Sequence, residues 1–107
     1  MDVVSLTDLV EFSPDGPQRV AVAQSDRLYA QLICLERAQE TESMSDPGSD
    51  AVLAIVAGEV VVFVDRSRKR LTQWATALIP AGSGVVIRNA SEDPAVVLLI
   101  IAPPPTA

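Results

Sequence analysis

The stretch AVLAIVAGEVVVFV, residues 51–64, restricts this chain to few folds. Its residues are mostly β-branched or small, and Gly58 followed by Glu59 breaks it in the middle. That pattern reads as two successive strands, 51–58 and 59–65. On the first, Ala51, Leu53, Ile55 and Ala57 share one face, and Val52, Ala54 and Val56 share the other. Val60 to Val64 is likewise apolar on both faces. A single antiparallel sheet leaves one face in water and alternates polar with apolar residues. Here both faces require cover. One fills the interior of a barrel or sandwich, and the other is expected to meet a second protomer, so a homodimer is predicted.

The rest of the chain repeats the theme. RVAVAQ (19–24), RLYAQLICLE (27–36), LTQWATALI (71–79), VVIRN (85–89) and AVVLLIIA (95–102) read as strands. RSRKR (66–70) reads as a polar hairpin tip between two of them. PAGSG (80–84) and ASEDP (90–94) are turns by composition, because proline fixes φ and glycine admits positive φ. The prolines of PPPT end the pattern, since proline cannot donate to a sheet ladder. SLTDLVEF near the start is the only helical candidate, one turn capped by Ser5 or Thr7. The expected fold is all-β, a single domain over 1–107 with a barrel core at about 17–103.

Charge is uneven. Residues 1–50 hold ten acids and three arginines, and residues 51–107 hold four acids and five bases, within a net charge of −6. Such acidity argues against nucleic acid or an anionic membrane as partner. The apolar runs are broken or too short to span a bilayer, and the acidic N-terminus lacks a basic leader, so a cytoplasmic protein is expected. One cysteine, Cys34, allows no internal disulfide, and the chain has no histidine.

Three segments together, CLERAQETESMSDPGSDAVLAIVAGEV, LTQWATALIPAGSGVVIRN and LLIIAPPP, resemble a small single-domain cupin of the cupin 2 conserved-barrel type, over roughly residues 5–105. The resemblance implies a double-stranded β-helix, the antiparallel jelly-roll barrel of two packed sheets. The first cupin motif runs glycine, a His-x-His pair, glutamate, glycine. In register with Gly58 as its last glycine, Ala38 stands at the first glycine, Met44 and Asp46 at the two histidines, and Ala51 at the glutamate. In the second motif Pro80, Gly82 and Asn89 match, Val85 stands at the histidine, and Trp74 replaces the opening glycine. The family's divalent-metal ligands would therefore be Met44, Asp46, Ala51 and Val85. Alanine and valine donate nothing, and a soft thioether with one hard carboxylate does not suit a single ion. A metal-free barrel with no cofactor is expected.

Other candidates remain open between two readings. Asp46 is either a pocket acid or a carboxylate bonded within the turn DPGSD. Tyr29 and Gln31 share a strand face that looks either into the barrel, supplying hydrogen bonds to a ligand, or out to solvent. Cys34, with no histidine to activate it, reads as a buried structural thiol. Trp74 reads as a packing residue and Asn89 as a turn holder. RSRKR grips an anion or an acidic partner, or protects a sheet edge. The function expected is a non-catalytic module for a small apolar ligand or a protein partner, with pocket candidates Met44, Asp46, Ala51, Val85, Tyr29 and Gln31. The alternative is a metal-independent isomerase, lyase or hydrolase using Asp46 and Tyr29 as acid and base.

Overall fold

At Gly58 the chain leaves one sheet and enters another. Its φ of +77° is left-handed, and an added Cβ there would lie 2.5 Å from the Pro94 carbonyl oxygen and 2.9 Å from the Ala95 Cα. Only glycine meets both demands. In the computed structural model, which describes residues 1–105, β3 (Asp50–Ala57) ends at this point and β4 (Glu59–Val64) begins. The remaining strands are β1 (Gln18–Gln24), β2 (Tyr29–Leu35), β5 (Ser67–Thr72), β6 (Thr76–Ile79), β7 (Val85–Arg88) and β8 (Ala95–Ala102). They form a five-stranded sheet in the order β1-β2-β8-β3-β6 and a three-stranded sheet in the order β5-β4-β7, with every paired strand antiparallel. This is a jelly-roll barrel. SLTDLVEF yields one 3-10 turn, Leu6–Asp8; Ser5 makes no side-chain cap and instead hydrogen bonds Thr7.

The inner faces meet in one apolar core. Ile33, Leu35, Leu53, Ile55, Val60, Val62, Ile87 and Val97 are buried there. The outer face of the larger sheet is covered in part by the chain itself. Leu6, Leu9, Val10 and Phe12 pack over Leu32, Cys34 and Val96. The N-terminal segment thus supplies cover where the strand pattern alone pointed to a second protomer. Toward β6 the cover ends, and Val52 and Leu78, opposite one another across β3 and β6, stay exposed.

Two local readings require correction. RSRKR is not a hairpin tip: the turn falls at Asp65 and Arg66, and Ser67 to Arg70 belong to β5, paired along β4. Extended backbone and ladder bonds outweigh the polarity of an edge strand that has little to bury. LTQWATALI is not one strand. It breaks at Gln73–Trp74, where Trp74 takes φ +75° and its N–H donates to the Ile55 carbonyl at 2.8 Å. Trp74 is therefore not a packing residue, being 79% exposed at the corner.

Asn89 does hold a turn. Its Nδ2 donates to the carbonyls of Leu35 (3.1 Å) and Asp93 (2.8 Å), and its Oδ1 accepts from the N–H and hydroxyl of Ser91. Fully buried and fully bonded, it locks the 89–93 loop against the end of β2.

Candidate functional site

One end of the barrel is filled and the other is open. The inner face of the larger sheet carries Leu35, Ile33, Val97 and Ile55 at the filled end, then Gln31, Leu99, Tyr29, Ile101 and Ala51 toward the opening. Strand register produces this order: Gln31 lies opposite Leu99, Tyr29 opposite Ile101, and Ala51 opposite both Ile101 and Ile79. Ala51 is too small to fill the gap that its neighbours frame. The result is a cavity of about 480 Å³.

The opposite wall is the segment 43–49, stitched to β7 and the 80–84 turn. Met44 and Val85 exchange backbone bonds; Gly82 N–H donates to the Asp46 carbonyl at 2.9 Å; Ala81 N–H donates to Asp50 Oδ1 at 2.9 Å; and the Ser45 hydroxyl reaches the Gly82 carbonyl. Ser49, buried, donates to the Pro103 carbonyl and ties the end of the last strand to the rim. The mouth is therefore framed by backbone and short polar side chains.

All six candidate residues line this cavity: Met44, Asp46, Ala51, Val85, Tyr29 and Gln31. The open question about the Tyr29 face is decided by register, because Tyr29 and Gln31 share the inward side with Leu99 and Ile101. Sequence reasoning missed Arg19. It lies opposite Ile33 on β1, lines the same cavity, and directs its guanidinium to the Met44 sulfur. Its place within the alternating strand RVAVAQ was the only available signal, and that alternation does not say which face turns inward. Ser43, Ser45, Ser49 and Ser83 were likewise missed, because the loops that carry them have no periodicity to read.

The polar groups differ in how far they are spoken for. Asp46 Oδ1 accepts the Gly48 N–H at 2.8 Å, the turn-holding role of an Asx motif. Gln31 is only 6% exposed, and its side-chain amide makes no hydrogen bond to a protein group among the described residues. No buried side-chain atom there is both sealed and unbonded, so what remains accessible of that amide opens on the cavity. Arg19 has no carboxylate partner among the described residues. The floor and walls beside these groups are Ile79, Val85, Leu99 and Ile101.

The donor set does not fit a divalent ion. No group of three or more His, Cys, Asp or Glu side chains converges among the described residues. At the four motif positions one carboxylate, already bonded in its turn, stands with a thioether and two hydrocarbon side chains.

The backbone at those motifs is nonetheless the one the resemblance implies. Ala38 and Trp74, at two glycine positions, have φ of +67° and +75°, matching Gly58 and Gly82 at +77° and +85°. No helix among the described residues is long and apolar enough to cross a membrane.

Neither a protein-family model nor a curated protein matches the sequence. Solved structures do. The TT1209 protein of Thermus thermophilus is 33% identical with a TM-score of 0.93, over 98% of this chain and 100% of that one. A Klebsiella pneumoniae protein with a double-stranded β-helix domain is 18% identical with a TM-score of 0.90, over 96% of this chain and 90% of that one. A cupin-superfamily protein of Desulfitobacterium hafniense DCB-2 is 23% identical with a TM-score of 0.79, over 92% of this chain and 88% of that one. With the barrel topology, the motif glycine conformations and these likenesses together, the chain has the double-stranded β-helix fold of the cupins.

Proposed function

We propose that this protein is a metal-free binding module that holds a small amphipathic organic acid in the mouth of its barrel. The observation that carries this reading is the Gln31 amide, which is nearly buried, reached only from the cavity and without a protein partner among the described residues. Leaving such an amide unmet costs about 1–3 kcal/mol, which a ligand head group or an ordered water recovers. Arg19 stands at the same cavity with no carboxylate to hold it, suited to a carboxylate or another oxyanion. Ile79, Val85, Leu99 and Ile101 offer the apolar body a surface that excludes water.

Binding is favoured over acid–base chemistry because Asp46 Oδ1 is held in its turn by the Gly48 N–H, which leaves only Oδ2 for proton transfer.

The reading is tested with octanoate and with octanol as its uncharged counterpart, followed by amide chemical shifts of the intact protein. Octanoate should move the resonances of residues 29–31, 44–46 and 79–85 and bind at least tenfold more tightly than octanol. Arg19→Met should erase that preference. Equal binding of the two probes, or shifts elsewhere on the molecule, would remove the case for an acid.

A further inference from the structure

A second feature lies outside the barrel, on the outer face of the three-stranded sheet. Phe63 lies opposite Arg68 on β5 and Val86 on β7, and Val61 lies opposite Arg70 and Arg88. Beyond β7, Glu40 pairs with Arg88 in an isolated antiparallel bridge. Residues directly opposite in an antiparallel pair project to the same face. Two cross-strand rows result, Arg68–Phe63–Val86 and Arg70–Val61–Arg88–Glu40. Thr41 is buried between the exposed Glu40 and Glu42, so both acids face outward.

The face is therefore charged in an ordered way. Arg68 and Arg70 stand along β5 and Glu40 and Glu42 along 40–42, with Glu59 paired to Arg70 and Arg88 beside Glu40, and half-buried Val61, Phe63 and Val86 lie between the two edges. A shallow cavity of about 430 Å³ sits over Val61 and Phe63, bounded by Arg68, Arg70 and Arg88. Protection of the β5 edge accounts for Lys69 and Arg68 but not for Arg88, two strands away, or for the aromatic floor. Only Arg70 has an acidic partner among the described residues, Glu59 at 2.7 Å.

We propose that this face is complementary to itself and docks a second copy of the chain about a two-fold axis. The Arg68 side of each copy would meet the Glu40 and Glu42 side of the other, with Phe63, Val61 and Val86 excluding water at the centre. An apolar centre with a charged rim is the usual anatomy of such contacts. A two-fold contact uses every complementary pair twice and closes on itself. The chain carries −6 overall, so association has to come from local matching of charge and not from net attraction.

Sedimentation velocity on charge-reversed chains tests this. The wild type is expected to dimerise at concentrations below about 100 µM, within the reach of charge-matched contacts. Arg68→Glu alone and the Glu40→Lys/Glu42→Lys pair alone should each weaken self-association about tenfold or more. Mixing these two variants should restore pairing, because both halves of the mixed contact again join opposite charges. Lys69→Glu makes the same change in net charge but lies on the other side of β5, and should leave association unchanged. A monomeric wild type would overturn the proposal, as would a dimer indifferent to Arg68→Glu or a mixture that stays monomeric. A dimer abolished by Leu78→Glu and untouched by Arg68→Glu would put the contact on the other sheet and overturn it equally.

Discussion

Met44 and Val85 stand side by side in the wall of the barrel mouth as a hydrogen-bonded pair: the Met44 N–H donates to the Val85 carbonyl at 2.9 Å, and the Val85 N–H returns to the Met44 carbonyl at 2.8 Å. Both occupy positions where the cupin motifs carry a metal-binding histidine, and both line the cavity with Ala51. The backbone that would aim two donors at one point is thus in place. The side chains it carries there are a thioether and a hydrocarbon.

If only donors are missing, restoring them should restore metal affinity. The triple variant Met44→His, Ala51→Glu, Val85→His is expected to bind Ni²⁺ or Zn²⁺ with micromolar affinity or better, three strong ligands being a sufficient set. The wild type should bind neither at that level. Isothermal calorimetry on untagged protein decides it, and wild-type binding as tight as the variant's would refute the metal-free reading.

Gln31 provides a second test. Its side chain is nearly buried, and its amide has no protein partner among the described residues. Gln31→Leu should therefore leave stability unchanged or raise it by up to about 1 kcal/mol, a Tm increase of up to roughly 4–8 °C. The same substitution should weaken octanoate binding. A fall in Tm of that size would mean that the amide is satisfied in the folded state.

The glycine positions of the motifs make opposite predictions. Gly58→Ala adds a Cβ 2.5 Å from the Pro94 oxygen at a left-handed φ, and should destabilise by about 2–4 kcal/mol. Trp74→Gly should stabilise by about 1 kcal/mol, because it relieves the left-handed conformation and removes a side chain that is largely exposed. Urea midpoints of the two variants check both. A loss of stability in Trp74→Gly would show that the indole makes contacts worth more than the strain.

Cys34 links stability to pH. Burial beneath the N-terminal segment pushes its thiol pKa up, against a smaller opposing contribution from the Glu11 backbone N–H. A raised folded-state value means that the thiol's contribution is fully present below the unfolded-state pKa of about 8.5, and is lost as pH rises through the folded-state value. Unfolding free energy should therefore decline above about pH 8.5 more steeply in the wild type than in Cys34→Ala. Parallel slopes in the two proteins would show that the thiol does not titrate differently on folding. Disulfide-exchange reagents should also react slowly with the native protein.

The two-faced apolar run at 51–64 was enough to read the paired strands and a closed β architecture. Hydrophobic periodicity is local, and Gly58 marks its own break. Of the four motif positions only Ala51 and Val85 lie on strands, where a count along the chain fixes the face; Met44 and Asp46 lie in the segment before β3, whose path a count does not fix. β5 was misread because its residues bury almost nothing, and an edge strand is held by ladder bonds that leave no trace in hydropathy.

What the chain alone determined is the strand faces, the glycine-bearing corners and which side chains stand at the four motif positions, because each depends on residues close together in sequence or on side-chain chemistry. Tertiary structure alone decided the rest. It turned Arg19, Tyr29 and Gln31 toward one cavity, laid the N-terminal segment over Cys34, and set Glu40 beside Arg88. These relations depend on which strands become neighbours and in what register, and a sequence pattern with a period of two cannot say which of its two faces looks inward.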